Sequence, residues 1–163
     1  EIHPVSALQS EYSLLTRDVE TEMLHLCNEM KISFIPFSPL SRGLFTNTLD
    51  REKFDENDFR KLLPRFSAGH WKNNSDLAKA FANLASDKNC TPAQLALAWV
   101  LAQGNHIIPI PGTRHRHYLE ENAGAINVNL TSVDLNDIET LLTRFPDIGS
   151  RYSENFAKQV DKE

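Results

Sequence analysis

The residues best suited to chemistry lie between Ile107 and Asn122, where the apolar run Ile107-Ile-Pro-Ile110 passes through Pro111-Gly112-Thr113 into Arg114-His115-Arg116-His117. This order reads as a strand, a glycine turn and a basic helix start. The first turn of a helix presents N–H groups without intrahelical partners and the positive end of the helix dipole. An anion such as a phosphate at Gly112 and Thr113 is therefore stabilised without further machinery. In a 163-residue chain of formal net charge −5, the local reversal of sign at Arg114, His115, Arg116 and His117 fits an anionic ligand. It also fits four polar residues that solvate a helical turn. Glu121 and Asn122, one turn further on, read either as partners for an adenosine ring or ribose phosphate, or as a solvent-facing pair. His115 and His117 are expected to point away from each other, and no nearby Cys or carboxylate completes a set of ligands, so no metal is expected.

A second candidate loop is Ser38-Pro-Leu-Ser-Arg-Gly43, after the apolar run Ile32 to Phe37. Gly43 lets a backbone approach a ligand closely, Ser38 and Ser41 offer hydroxyls, and Arg42 offers a forked cation suited to a pyrophosphate. Phe37 closes the strand, where its ring either stacks on a flat ligand or completes the core. Gln9, Glu11 and Tyr12 are expected to point towards a loop at the end of an earlier short strand, Val5 to Ser10. Gln9 there is either a ligand contact or a satisfied polar group beneath a loop.

These loops need a parallel scaffold to bring them to one end. Strand, helix, strand over residues 5–37 implies a right-handed crossover with its ligand loops at the C-terminal strand ends. Asp18 is placed to cap the connecting helix, whose stripe is expected at Val19, Met23, Leu26 and Met30, with Cys27 near the core and His25 exposed. Residues 46–75 show no sustained period around Phe54, Phe59, Leu62, Leu63, Phe66 and Trp71. They read as a lid with a short helix near Asp55 to Leu63, or as a solvated insertion; His70 and Trp71 are possible substrate contacts. Leu77, Phe81 and Leu84 mark an amphipathic helix ending near Asn89. Thr91-Pro-Ala-Gln94 combines a capping box with Pro at the first helical position, and opens a nearly all-apolar helix to about Gln103 that must be buried between layers. Ile107 to Ile110 is expected as a third parallel strand buried on both faces. Thr131-Ser-Val-Asp134 opens a last helix with Leu135, Ile138, Leu142 and Phe145 on one face, and the polar tail over 147–163 is expected to drape over the surface.

Composition sets the outer bounds. At 40% hydrophobic and 24% charged, the chain suits one domain, and its acidity argues against a nucleic-acid footprint or an anionic membrane as partner. Cys27 and Cys90 are the only cysteines and are widely separated, which argues against a disulfide framework and for a reducing, cytoplasmic location. No stretch reads as a membrane span or a secretory signal. The chain opens at Glu1-Ile-His-Pro without an initiating Met, so an upstream segment is expected.

Three features stand in order: Leu8-Gln-Ser-Glu-Tyr-Ser-Leu-Leu15, Pro36-Phe-Ser-Pro-Leu-Ser-Arg-Gly43, and Ile110-Pro-Gly-Thr-Arg114 followed by Leu119-Glu-Glu-Asn122. Together they resemble the aldo-keto reductase superfamily, over nearly the whole chain. The resemblance implies an α/β fold: the C-terminal portion of a TIM (β/α)8 barrel, strands six to eight with the C-terminal helices. The chain is then a single partial domain over 1–163, with 46–75 as a substrate-side loop and 147–163 as a C-terminal tail. Asp147-Ile-Gly-Ser-Arg-Tyr152 is similar to the end of members that reduce aldehydes and ketones with NADPH.

Carried over residue by residue, the resemblance implies that Gln9 hydrogen-bonds the nicotinamide carboxamide and that Phe37 stacks on the nicotinamide. Ser38, Pro39, Leu40, Arg42 and Gly43 would line the pyrophosphate. Gly112, Thr113 and Arg114 would hold the adenosine 2′-phosphate, and Glu121 and Asn122 would meet the adenine. Some members carry a Lys-Ser pair and a later Arg where this chain has Gly112, Thr113 and Tyr118, so preference for NADP(H) would rest on Arg114 and His117. The family's catalytic Asp, Tyr, Lys and His lie on earlier strands. Tyr12 and Lys31 stand in the wrong places to replace them, so no catalytic residue is assigned. A full barrel takes about 250 residues and eight strands, against three strands expected here. The expected role is the cofactor-binding portion of an NADPH-dependent reductase of small carbonyl substrates, partnered by an N-terminal half-barrel and inactive alone. The alternatives are a non-catalytic NADPH-binding or interaction module, and a half-barrel that closes by dimerising.

Overall fold

The computed structural model describes residues 3–46 and 48–158. Expectations that fall on Glu1, Ile2, Asn47 and residues 159–163 lie outside the described residues. Two strands, β1 (Ala7–Glu11) and β2 (Ser33–Phe37), pair in parallel with Leu8 opposite Phe34 and Glu11 opposite Phe37. Between them runs α1 (Met23–Glu29). It is followed by α2 (Ala68–Asp87), α3 (Pro92–Leu101), α4 (Arg116–Ala123), α5 (Ser132–Thr143) and the short α6 (Glu154–Ala157).

The expected third strand is reduced to a bridge between Phe34 and Ile107. Phe34 N–H donates to the His106 carbonyl at 2.8 Å, Ile108 N–H to the Phe34 carbonyl at 2.8 Å, and Ile110 N–H to the Pro36 carbonyl at 3.0 Å. The missing rung belongs to Pro36, which has no N–H to donate. Burial on both faces also fails. Ile107 is buried, whereas Ile108 and Ile110 are exposed beside Ile35 and Phe37. The helices therefore cover one face of the sheet, and the other remains an open apolar surface.

The core lies on the helix side. Tyr12, Phe34 and Trp99 meet there, with Tyr12 edge-on to Phe34 at 6.2 Å and 5.6 Å from Trp99 between ring centroids. As the sequence implies, α3 is buried along nearly its whole length, and its Thr91 and Gln94 complete a reciprocal capping box. Thr131 and Asp134 do the same for α5.

The stripe expected on the first helix is corrected. Asp18–Glu20 forms a separate 3-10 turn, and Asp18 caps nothing. That break shifts the phase, so Val19 and Cys27 are buried while Leu26 and Met30 are exposed. His25 is exposed as expected.

The segment expected as a loop over 46–75 ends at Ser67. It contains 3-10 turns at Arg51–Lys53, Phe59–Leu62 and Pro64–Phe66, and α2 already begins at Ala68. Its aromatic residues turn inward, with Phe54 and Phe66 buried and Phe66 centred 6.0 Å from Phe54. His70 and Trp71 lie on the first turn of α2 and are engaged within the chain, His70 with Asp147 at 2.8 Å and Trp71 beside Phe66. The tail is likewise fastened rather than draped. Asn74 donates to the Ile148 carbonyl at 2.9 Å, and Arg151 reaches Glu11 at 3.0 Å.

No helix among the described residues is long and apolar enough to cross a membrane.

Candidate functional site

The loop that leaves β2 concentrates backbone strain. Among the described residues five non-glycine residues have positive φ; Lys31 and Asn89 follow the ends of α1 and α2, where a left-handed residue is a normal helix stop. The other three, Ser38 at 51°, Ser41 at 50° and Arg42 at 59°, fall within five residues and lead into Gly43 at 93°. Left-handed non-glycine residues persist only where their surroundings hold them, and they gather at binding and switch segments. Here the supports are visible: Ser41 Oγ donates to Ser13 Oγ at 3.0 Å, Thr46 Oγ1 to the Gly43 carbonyl at 2.8 Å, and an Arg60 nitrogen to the Arg42 carbonyl at 3.2 Å.

The Gly112 loop is open by contrast. A Cβ built on Gly112 would meet no atom within 4 Å, so the position leaves room for a ligand against bare backbone. Thr113 Oγ1 accepts from the His115 N–H at 3.1 Å, and His115 takes the N-cap position of α4 without a side-chain cap. The first turn of α4 thus keeps donors available for an anion. Because His115 is extended rather than helical, its ring is not turned away from His117 as expected. Their centroids are 5.6 Å apart, and His117 packs on Tyr118 at 4.0 Å. Among the described residues no group of three or more His, Cys, Asp or Glu is placed to hold a metal.

The two loops meet. A pocket of about 90 Å³ is lined by Leu40, Thr46 and Thr48 from the segment after β2, Ala93 from the start of α3, and Gly112, Thr113, Tyr118, Glu121 and Asn122. Five residues singled out in the sequence, Leu40, Gly112, Thr113, Glu121 and Asn122, are brought together here. Asn122 is not a solvent-facing residue: it is 8% exposed and lines this pocket.

Other expected residues lie beside the pocket rather than in its wall. Arg114 is exposed on the approach to α4 and His117 on its first turn, Gln9 is exposed on β1, and Phe37 is half-buried at the end of β2. Ser38, Pro39 and Gly43 belong to the strained loop. The guanidinium of Arg42 is not free for a phosphate, since it pairs with Glu11 at 3.0 Å. Tyr12 does not face a loop; it is wholly buried and donates to Glu20 at 2.7 Å, and burial together with that carboxylate pushes its hydroxyl far above the ordinary range. Thr46, Thr48, Ala93 and Tyr118 were not foreseen in the wall. The only local signal for any of them is the capping box that places Ala93 on the first turn of α3.

A wider hollow of about 330 Å³ is lined by Lys88, Asn89, Cys90, Gln94, Gly124 and Asn127 to Asn129. Two of its polar side chains are already committed. Lys88 is ion-paired with Asp134, and Gln94 both closes the cap of α3 and donates to the Glu121 carbonyl at 3.1 Å. The smaller pocket, with its bare glycine and the buried Asn122 in its wall, is the better ligand site.

Comparison with known proteins places this geometry in context. The profile of the Aldo/keto reductase family matches residues 1–143. The chain is 42% identical over 151 residues to "Probable aldo-keto reductase 1" of Glycine max, covering 93% of this chain and 44% of that protein. It is 38% identical over 155 residues to "Aldo-keto reductase yakc [NADP(+)]" of Schizosaccharomyces pombe, covering 93% and 46%. The chain therefore spans less than half the length of these relatives. Among solved structures, a glycerol dehydrogenase from Gluconobacter oxydans superimposes with a TM-score of 0.81 at 23% identity, over 88% of this chain and 44% of that one. An aldo-keto reductase from Klebsiella pneumoniae in complex with NADPH gives 0.57 at 23% identity, over 89% and 42%. At that identity the likeness speaks for the fold.

Proposed function

This chain belongs to the aldo/keto reductase family, and from that premise we propose that it is the cofactor-binding portion of an NADPH-dependent reductase of aldehydes or ketones. The observation that carries the reading is the pocket beside the strained Ser38–Gly43 loop, where Gly112 leaves space and the buried Asn122 stands in the wall. Both features fit a nucleotide. Gly112 and Thr113 would hold the 2′-phosphate against backbone, Arg114 and His117 would supply charge from the rim, and Glu121 and Asn122 would hydrogen-bond the adenine. Arg42 is assigned a different part from the one its type suggests. With its guanidinium on Glu11, it would serve the pyrophosphate through the backbone it shapes, together with Ser38, Pro39, Leu40 and Gly43. Gln9 and Phe37 would orient the nicotinamide from the open face of the sheet. A relative named for NADP(+) and a similar fold solved with NADPH support the choice of cofactor.

When bound, the cofactor supplies the hydride that reduces a carbonyl carbon to an alcohol. The described residues bind and orient; no proton donor for the alcohol oxygen is assigned among them, and Tyr12 is committed to Glu20. We assign that proton transfer, and the covering of exposed Ile108 and Ile110, to an N-terminal half-barrel. The chain is then one partial barrel domain, inactive by itself. The Phe54–Phe66 region is one wall of the substrate pocket, and the unpaired Cys27 and Cys90 suit a reducing cytoplasm.

The test is titration of the intact protein with NADPH, followed by fluorescence, with turnover of a panel of aldehydes measured on the same sample. Saturable binding with turnover is expected. Binding without turnover would favour the non-catalytic module, and absence of binding would refute the site.

A further inference from the structure

Glu11 ends β1 with 1% exposure, and a buried carboxylate is tolerable only when its oxygens are well supplied with donors. Its Oε2 accepts from Arg42 Nη2 at 3.0 Å, from Arg151 Nε at 3.0 Å and from the Tyr152 hydroxyl at 3.3 Å, while Thr16 Oγ1 donates to Oε1 at 3.4 Å. A third arginine braces the same place: Arg65 donates to Thr16 Oγ1 at 2.8 Å and to the Gly149 carbonyl at 3.4 Å. Arg42, one of the left-handed residues after β2, is held on several sides. Its guanidinium lies 5.6 Å from the Phe59 ring, 5.4 Å from the Tyr152 ring, and 3.4 Å from the Tyr152 hydroxyl. Four segments distant in sequence thus converge on one carboxylate oxygen and the cation above it.

We propose that Glu11 is a positioning residue for the Ser38–Gly43 loop, holding it in its left-handed form through Arg42 only while the Gly149–Tyr152 segment is seated on the same carboxylate. Arg42 at φ 59° adopts a conformation its side chain disfavours. The pull of its guanidinium toward Glu11 opposes relaxation, and Arg151 with Tyr152 supplies the rest of the charge and hydrogen-bond balance that keeps Glu11 buried. Unseating the tail lets water reach the carboxylate, which weakens its hold on Arg42 and releases the loop. The coupling itself is independent of any ligand. Its consequence for cofactor affinity rests on the reading of this loop as the pyrophosphate cradle.

The experiment compares wild type with Arg151→Ala, Arg151→Lys and Glu11→Gln in the intact protein. Amide hydrogen exchange is measured without ligand, and NADPH affinity by fluorescence. Arg151 is the primary position because it is partly exposed and its loss spares the core; Glu11→Gln keeps the shape and removes the charge. For Arg151→Ala, exchange over 39–46 is expected to quicken on the order of 10-fold, with NADPH affinity about 10-fold weaker and both largely restored in Arg151→Lys. Faster exchange confined to 147–152, with 39–46 unchanged, would overturn the proposal. Should wild type bind no NADPH, the cradle reading fails, and exchange over 39–46 still decides the coupling.

Discussion

Asn74 and Ile148 join α2 to the tail through one hydrogen bond. The Asn74 amide, wholly inaccessible on α2, donates to the Ile148 carbonyl at 2.9 Å and to the Arg65 carbonyl at 2.7 Å, and its own oxygen accepts from Asn73 at 3.1 Å. The side chain is fully satisfied, and both acceptors lie where the chain has no regular ladder to serve them.

Asn74→Ala is therefore expected to destabilise the protein by about 2 kcal/mol, since the Arg65 and Ile148 carbonyls lose their donor. Urea unfolding monitored by Trp fluorescence checks this. A midpoint equal to wild type would show that water replaces the amide without loss.

Acid stability is expected to depend on Asp134. The Lys88 ammonium first, and then the Thr131 N–H and hydroxyl, hold its carboxyl down to about 2. Its folded pKa lies below the unfolded value near 3.9, so its contribution is complete above about pH 4 and is lost as pH falls towards 2. Stability measured from pH 6 to 2 should fall less steeply in Asp134→Asn than in wild type over that window, from a lower starting value. Parallel profiles would refute the assignment.

Arg114 is expected to distinguish the two nicotinamide cofactors. Arg114→Ala should weaken NADPH binding by roughly 10–150-fold, the loss of one charge-assisted contact of about 1.5–3 kcal/mol, and leave NADH affinity little changed. Dissociation constants for both cofactors on the intact protein decide it. Equal losses would remove the 2′-phosphate role.

Gly112 separates folding from binding. Its φ is not left-handed and a Cβ there has open space, so Gly112→Val should shift stability by no more than about 0.5 kcal/mol. The same methyl groups would stand in the pocket, and NADPH affinity is expected to fall at least about 10-fold. Thermal unfolding and titration of one preparation read both effects. Full affinity would place the ligand elsewhere.

Much of the scaffold was legible because it obeys rules that act over a few residues. The Thr91/Gln94 and Thr131/Asp134 boxes start α3 and α5 where the sequence puts them, since a cap is a contact between residues three apart. The same rules failed where a local break intervened. The 3-10 turn at Asp18–Glu20 rotated α1 and left Leu26 and Met30 exposed, and Pro36 silenced the rung that would have made Ile107 to Ile110 a strand.

The sequence by itself determined the parallel β1–α1–β2 unit, the buried α3, and the two loops that carry Ser38 to Gly43 and Gly112 to Asn122, because glycine, proline and capping residues act through their own neighbours. Tertiary structure alone decided that Asn122 is buried beside Leu40 and Ala93, and that Arg42 turns from a phosphate ligand into a partner of Glu11. The reason is range. Glu11 and Arg151 are 140 positions apart, and no periodicity or motif within a helix or strand can announce a charge that arrives from the far end of the chain.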